Sequence, residues 1–356
     1  MAQTRACRNL ICYDDAKSLE EPMPDSFLRN CWYVAAEAGE VSPMPLSRLL
    51  LGEPVVMYRR DDGTPVALED RCCHRRAPLS KGKVIGDRLQ CGYHGFTFDA
   101  SGACVAIPGQ DRVPPNLGVR GYPLVERHGF CWIWMGEASA ADPSRIADFS
   151  RNTDPNWKPI HARLPVAADY QLLVENLIDL SHVGFVHAKT IGTDDSNANL
   201  NFDRGDDFVK VIREPLEVDT APHNAAQGMG PRSLLEKSIT FLPPCQVVID
   251  VRTTEVAPGK DNPMSLGITI LNACTPETAR STHYFWTSIR DYLQSDTKLD
   301  GFMMKITTDA FNEDKDMLEA QQRSIELNPD AAYVSVNADW GSVQMRRLMN
   351  ELAQRG

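Results

Sequence analysis

The sequence predicts an α+β chain: a small antiparallel β domain, then a curved antiparallel sheet packed on helices. Three observations carry this. Short β-branched and aromatic runs broken by turn signals fill the stretch from Trp32 to Trp134. Further strand patterns recur between Phe208 and Ile289. Helical patterns flank that second group, at Tyr170 to about Val186 and at Thr297 to Leu327.

Residues 1–25 are polar, contain Pro22 and Pro24 and show no sustained period, so they read as a tail. In the β domain, assigned to 26–155, the runs are Arg48–Leu51, Val55–Arg59, Val66–Glu69, Phe96–Phe98 and Cys131–Met135. Asp61-Asp62-Gly63 and Ser101-Gly102 supply hairpin turns between runs. Asp142-Pro143 offers an N-cap with proline at the first helical position, and Asp154-Pro155 and Lys158-Pro159 punctuate a boundary near 155. The second domain, 156–356, carries strands near Phe208–Arg213, Ser238–Leu242, Val247–Thr254, Leu266–Cys274 and Thr282–Ile289. A final helix is expected over 338–354.

Composition excludes several classes. Across 356 residues, 42% are hydrophobic and 24% charged, the balance of a folded globular chain. With 37 basic against 48 acidic residues the net charge is −11, which argues against a general binder of nucleic acid or anionic membrane. Apolar runs such as Gly267–Leu271 fall far short of the roughly 20 residues that cross a bilayer, and the N-terminus shows no signal-peptide stretch. The expectation is a cytoplasmic protein whose ten cysteines are reduced, so that the cysteines that matter are metal ligands or reactive thiols. Phosphate-binding glycine loops, His-Glu-x-x-His and Gly-x-Ser-x-Gly motifs are absent from the sequence.

Two constellations carry chemistry. Cys72-Cys73-His74-Arg75 and Cys91-Gly92-Tyr93-His94-Gly95 lie between short strands, with sixteen residues between His74 and Cys91. Each offers one thiolate and one imidazole. Zinc accepts two of each, but zinc motifs usually separate paired ligands by two or more residues. A [2Fe–2S] centre of the Rieske type needs two thiolates on one iron and two imidazoles on the other, which Cys72, His74, Cys91 and His94 supply. Cys73 is a second thiol in the first loop, and spacing favours Cys72 as the ligand.

In Tyr170–His187 an apolar helical pattern is crossed by Asn176, Asp179 and His182 at every third position, one polar stripe on a helix. Such a row is costly to bury unless its members bind each other or a metal. His187 would lie ~140° around an ideal helix from His182. For both imidazoles to reach one ion, the helix must end or kink near Gly184. A carboxylate would complete a two-histidine, one-carboxylate site for iron(II). In the long C-terminal helix only Asp314 has apolar residues three and four positions away on both sides, namely Ala310, Phe311, Met317 and Leu318. Glu313, with Asp309 and Asp316 at those offsets, reads as solvent-facing.

The motifs together, Cys-x-His-Arg and Cys-x-Tyr-His-Gly followed by Asn176-x-x-Asp179-x-x-His182-x-x-x-x-His187 and Asn312-Glu313-Asp314, resemble the α subunit of the Rieske non-haem iron oxygenases across nearly the whole chain. The group most resembled is the aromatic O-demethylases of the vanillate demethylase and dicamba monooxygenase type. Thr275-Pro276-Glu277-Thr278 and His283-Tyr284-Phe285-Trp286 are also similar to that group.

The resemblance implies a helix-grip catalytic domain, a Rieske [2Fe–2S] cluster and a mononuclear Fe(II) on His182, His187 and Asp314. It further implies a separate NAD(P)H-dependent reductase, O2, an aromatic substrate such as an aryl carboxylate, and a homotrimer. In that trimer Asp179 would link His182 to His94 of a neighbouring subunit, and Asn176 would lie near the iron. Ring dihydroxylation is the alternative reaction. A Rieske electron carrier fused to a ligand-binding domain, or a zinc-stabilised binding protein, are the alternatives outside oxygenase chemistry. Strand alternation makes Asn272, His283, Trp286 and Arg290 candidates for the substrate cavity, only some of which can point inward.

Overall fold

The computed structural model describes residues 27–192, 199–332 and 334–355, so the expected tail over 1–25 lies outside the described residues. The first part of the chain forms three small sheets. One has the order β1 (Cys31–Glu37), β11 (Phe130–Met135), β10 (Leu124–Arg127). A second contains β2 (Leu46–Leu50), β3 (Glu53–Arg59), β4 (Pro65–Glu69) and β9 (Gly121–Tyr122). The third contains β5 (Lys83–Ile85), β6 (Arg88–Gln90), β7 (Thr97–Phe98) and β8 (Cys104–Ala106). Both expected hairpin turns are present. Gly63, at φ +87°, and Gly102, at φ +89°, take the left-handed conformation that closes them. Asp142 accepts from Ser144 N at the start of a short 3₁₀ turn, Pro143–Arg145.

The second part is one seven-stranded antiparallel sheet. Its order is β12 (Lys158–Val166), β18 (Ser281–Arg290), β17 (Ser265–Thr278), β16 (Gln246–Glu255), β15 (Arg232–Leu242), β14 (Val209–Asp219), β13 (Leu200–Arg204). The strand patterns are all present but longer. β14 runs past Arg213 through an irregularity between Arg213 and Leu216, where Pro215 interrupts the apolar pattern. Lys158-Pro159 opens a strand rather than a linker. β12 is the sheet edge, where Pro159 and Pro165 are tolerated.

The two faces of β18 serve different neighbours. Tyr284 and Trp286 pack with Leu173 and Leu177 of α1 (Tyr170–Ile178), Phe311 and Leu318 of α4 (Thr297–Leu327) and Met345 and Leu348 of α5 (Trp340–Arg355). Phe285 and Ile289 pack with Trp32, Val34, Trp132 and Trp134 of the first part. Burying each such side chain contributes roughly 1.5–3 kcal/mol, so this two-sided packing fixes where β18 sits. Backbone bonds from Leu51 and Gly52 to Pro276 and Glu277, both 2.9 Å, tie the two parts together. No helix among the described residues is long and apolar enough to cross a membrane.

Candidate metal centres

The two cysteine-histidine loops share one backbone design. Cys72 N donates to Ala77 O and Arg76 N to Cys72 O, both 2.9 Å. Cys91 N donates to Phe96 O at 2.8 Å and Gly95 N to Cys91 O at 3.1 Å. The same +5 and +4 bonds close each loop, and Arg76 (φ +58°) and Gly95 (φ +73°) both sit in the left-handed region. This equivalence puts Cys72 in the place of Cys91 and Cys73 in the place of Gly92. Both Cys72 and Cys91 are buried, at 2% and 3% exposure. Gly92 has no room for a side chain, since a Cβ there would lie 2.5 Å from Lys81 O.

The imidazoles of His74 and His94 meet edge to face at 4.7 Å on the exposed side. Burial, reinforced by the neighbouring Cys91, pushes the Cys72 thiol up to about 11. Desolvation together with His94 and Arg75 lowers the pKa of His74, favouring the neutral ring that metals bind. A buried thiol pair beside two imidazoles is the donor set of a Rieske cluster, and the residues fit that group.

The second centre is built from three elements. α1 ends at Ile178. Asp179 then leaves the helix at φ −87°, ψ 128°, and its carboxylate accepts from Ser181 N (2.7 Å) and Oγ (2.9 Å). A second, four-residue helix, α2 (Val183–Val186), has His182 and His187 as its caps. The chain therefore breaks at Asp179, five residues before Gly184, and Asn176, Asp179 and His182 do not form a stripe on one continuous helix. The physical reason is local: a short carboxylate that bonds the backbone two residues on competes with helix continuation. The break aims both imidazoles at α4.

There His182, His187 and Asp314 offer ligand atoms that all lie within 4.8 Å of one another. Asp314 is 3% exposed and lies on the face of α4 with Ala310, Phe311 and Leu318, whereas Met317 is 53% exposed and faces solvent. Its Oδ1 is 3.1 Å from His187 Nε2, 3.6 Å from His182 Nε2 and 3.1 Å from Asn176 Nδ2, which donates to it. Burial works against a proton on His187, but Asp314 and Glu313 outweigh it and raise its pKa. Burial likewise would raise Asp179, yet the adjacent His182 and the Ser181 bonds hold it below the usual carboxylate range. Asn176 Oδ1 and His182 Nδ1 are buried without hydrogen-bond partners among the described residues. Two imidazoles and a carboxylate converging beside unsatisfied polar atoms fit a divalent metal with open positions.

Glu313 does not simply face solvent. It accepts from His187 Nδ1 at 2.9 Å and from Thr190 Oγ1 at 2.7 Å. Helical position alone could not show this, because the segment after α2 folds over the flank of α4.

The four substrate-cavity candidates separate. Trp286 lies on the helix-facing side, with its ring 5.5 Å from Phe311. Asn272 shares that side but is committed: it donates to Val247 O (2.9 Å) and accepts from Tyr284 OH (2.7 Å). Arg290 is fully buried and engaged by Asp300 (2.7 Å) and the carbonyls of Tyr292, Leu293 and Asp296, so it is a structural cation rather than an anion receptor. His283 lies on the other face of β18 from Trp286, with its Nε2 on Leu49 O of β2 at 3.0 Å. Tyr284 and Phe311, whose rings are 5.2 Å apart, are aromatic neighbours that the strand pattern did not single out. Alternation with Trp286 and the inward face shared with Asp314 were the available signals.

Comparison with known proteins agrees with this geometry. Residues 31–123 match the Rieske [2Fe-2S] domain family and residues 166–355 the vanillate O-demethylase oxygenase C-terminal domain family. The dicamba O-demethylase oxygenase component of Stenotrophomonas maltophilia is 35% identical, over 92% of this chain and 98% of its own length. The toluene-4-sulfonate monooxygenase system iron-sulfur subunit of Comamonas testosteroni is 36% identical, over 92% and 97%. A crystal structure of dicamba monooxygenase bound to 3,6-dichlorosalicylic acid superposes with a TM-score of 0.85 at 32% identity, covering 93% of this chain and 98% of that one.

Proposed function

Because the chain belongs to the Rieske non-haem iron oxygenases of the vanillate and dicamba O-demethylase type, we propose that it is the terminal oxygenase of a multicomponent system acting on an aryl carboxylate or sulfonate. The observation that carries this reading is the buried convergence of His182, His187 and Asp314 in the same chain as the paired Cys–His loops. An electron carrier with a ligand-binding domain would have no use for that triad. With both groups bound, the cluster supplies single electrons and iron(II) activates O2.

The remaining work belongs to the protein. Asn176 orients the Asp314 carboxylate through its amide N–H. Tyr284, Trp286 and Phe311 form an aromatic wall that excludes water and can hold a substrate ring. Hydroxylation of an aryl methyl ether, using O2, two electrons and two protons, gives a hemiacetal that releases formaldehyde and a phenol, with water as the second product. The test is turnover of methoxy-, phenoxy- and sulfonated benzoates with a reductase, following formaldehyde and O2 uptake. Formaldehyde with coupled O2 uptake supports demethylation. A cis-diol product would make the enzyme a ring-dihydroxylating dioxygenase, and no O2 consumption with any aromatic acid would end the oxygenase reading.

The electron donor is proposed to be a separate NAD(P)H-dependent reductase that meets the chain at the cluster loops. Tyr93, 67% exposed, stands beside His94 there. Arg75, Arg76, Lys81, Lys83 and Arg88 are all exposed, and none has an ion-pair partner among the described residues. In a chain of net charge −11, this basic collar would steer an acidic donor to the tip.

The functional unit is proposed to be a homotrimer. Beside the triad a cleft of about 500 Å³ is lined by Phe185, Val186, Lys189, Glu313, Asp316 and Met317. Phe185 is 79% exposed there, an apolar patch suited to the cluster tip of a second copy. That seating would bring Asp179 between His182 and the neighbouring copy's His94.

A further inference from the structure

The two imidazoles of the buried triad are held in different ways. His182 Nδ1 lies 3.8 Å from Asp179 and has no hydrogen-bond partner among the described residues. His187 Nδ1 lies 2.9 Å from Glu313 Oε2, and the same oxygen accepts the Thr190 hydroxyl at 2.7 Å. The backbone closes the arrangement: Thr190 N and Gly192 N both donate to His187 O, at 2.9 and 2.8 Å. Gly192 is needed for that turn, because a Cβ there would lie 2.7 Å from His187 O. His187 is 2% exposed, so its ring has little freedom.

We propose that Glu313 is a positioning residue for the mononuclear metal. With Thr190 it holds His187 as the Nδ1–H tautomer, leaving the Nε2 lone pair aimed at the space shared with Asp314. His187 and Asp314 then form the fixed half of the site. His182, tied only loosely to Asp179, is the adjustable half. Helix α4 thus grips the site twice in successive residues: Asp314 offers a ligand atom from inside, and Glu313 restrains a ligand from behind. A carboxylate behind a metal-bound histidine fixes ring orientation and raises ligand basicity, and its loss typically weakens metal affinity 10- to 100-fold.

This inference rests on the reading of His182, His187 and Asp314 as metal ligands, and the test separates the two. Protein with its cluster intact and its mononuclear site stripped would be titrated anaerobically with Fe(II), and separately with Co(II), against a chromophoric chelator. The variants are Glu313→Ala, Glu313→Gln, Thr190→Val, Asp179→Asn, Asp314→Ala and Asp316→Ala, the last an acidic neighbour on the same helix that bonds neither histidine. Asp314→Ala should abolish tight binding. Glu313→Ala should weaken it 10- to 100-fold, and Glu313→Gln, which keeps an oxygen for the Nδ1–H bond, should recover part of the loss. Thr190→Val should cost several-fold, while Asp179→Asn and Asp316→Ala should stay within about threefold of wild type.

Thermal midpoints of the stripped proteins distinguish positioning from scaffolding. A positioning role predicts lost affinity with a nearly unchanged midpoint, whereas a lower midpoint with unchanged affinity overturns the inference. Equal losses from Asp179→Asn and Glu313→Ala would overturn the division into fixed and adjustable halves. If Asp314→Ala bound metal as wild type does, the ligand assignment itself would fall.

Discussion

Asp169, which opens the helix carrying Asn176, gives a prediction whose size can be worked out. Its carboxylate accepts from Gln171 N at 2.9 Å as the N-cap of α1. Burial raises its pKa from 3.8 to about 6, with Glu175 adding to the rise and the Gln171 bond only partly opposing it. A rise of roughly 2 units corresponds to about 3 kcal/mol at 1.36 kcal/mol per unit. The folded-state value lies above the unfolded one, so the folded chain binds this proton more tightly. The associated stability is fully present below about pH 4 and is lost as pH rises through about 6.

Asp169→Asn keeps an oxygen for the Gln171 N–H and has no charge to desolvate. The variant should match wild type near pH 4 and exceed it by about 2–3 kcal/mol at pH 8. Scanning calorimetry of both proteins from pH 5 to 8 reads this as a gap in unfolding midpoint that widens with pH, reaching several degrees. Loss of cluster at acid pH affects both proteins and cancels in the difference. A gap independent of pH, or a variant less stable than wild type at pH 8, would refute desolvation as the governing effect at Asp169.

The remaining predictions concern the metals and the assembly. Asp314→Ala should remove the mononuclear iron and turnover while the cluster's visible and paramagnetic spectra persist, and Cys91→Ser should remove the cluster and turnover while the mononuclear iron persists, as metal analysis and electron paramagnetic resonance would show. Gly92→Ala should lower cluster content sharply, because its Cβ would lie 2.5 Å from Lys81 O and force the second loop off its partner; iron and acid-labile sulfide per chain measure this. Co-expressed, differently tagged Asp314→Ala and Cys91→Ser subunits should regain activity that neither has alone. Verified mixed trimers without activity would sink the proposed electron path between chains.

Much of the fold was legible because period and turn chemistry agreed. Helix α4 occupies the predicted 297–327: Asp296 caps its first turn through Lys298 N and Leu299 N, and its buried face carries Leu299, Met303, Ala310, Phe311 and Leu318 with the Asp314 carboxylate set among them. The patterns failed where one residue served two purposes. Pro159 and Pro165 look like punctuation in one dimension, but on an edge strand no neighbour needs their missing N–H groups. The strand Leu200–Arg204 escapes the pattern because at the other sheet edge it pairs on one side only and has no continuous apolar run to announce it. Asp179 fits the three-residue spacing of a helical stripe, yet its carboxylate bonds Ser181 and ends the helix.

The site divides along the same line. Donor atom types and spacing are properties of the chain itself, so the cysteines, the histidines and Asp314 stand out from residue type and spacing alone. Restraint of those donors depends on segments distant in sequence. Glu313 reads as a surface acid because its own helix offers it Asp309 and Asp316, while the groups it binds, His187 and Thr190, come from more than 120 residues upstream. Arg290 and His283 mislead for the converse reason. Each has a side chain suited to a substrate, but backbone carbonyls in the third dimension, with Asp300 at Arg290, already occupy them. A one-dimensional reading therefore recovers which atoms can bind a metal. Which of those atoms are held still, and which can move, is decided by contacts such as that between Glu313 and His187, and this is what distinguishes the two histidines of a motif that treats them alike.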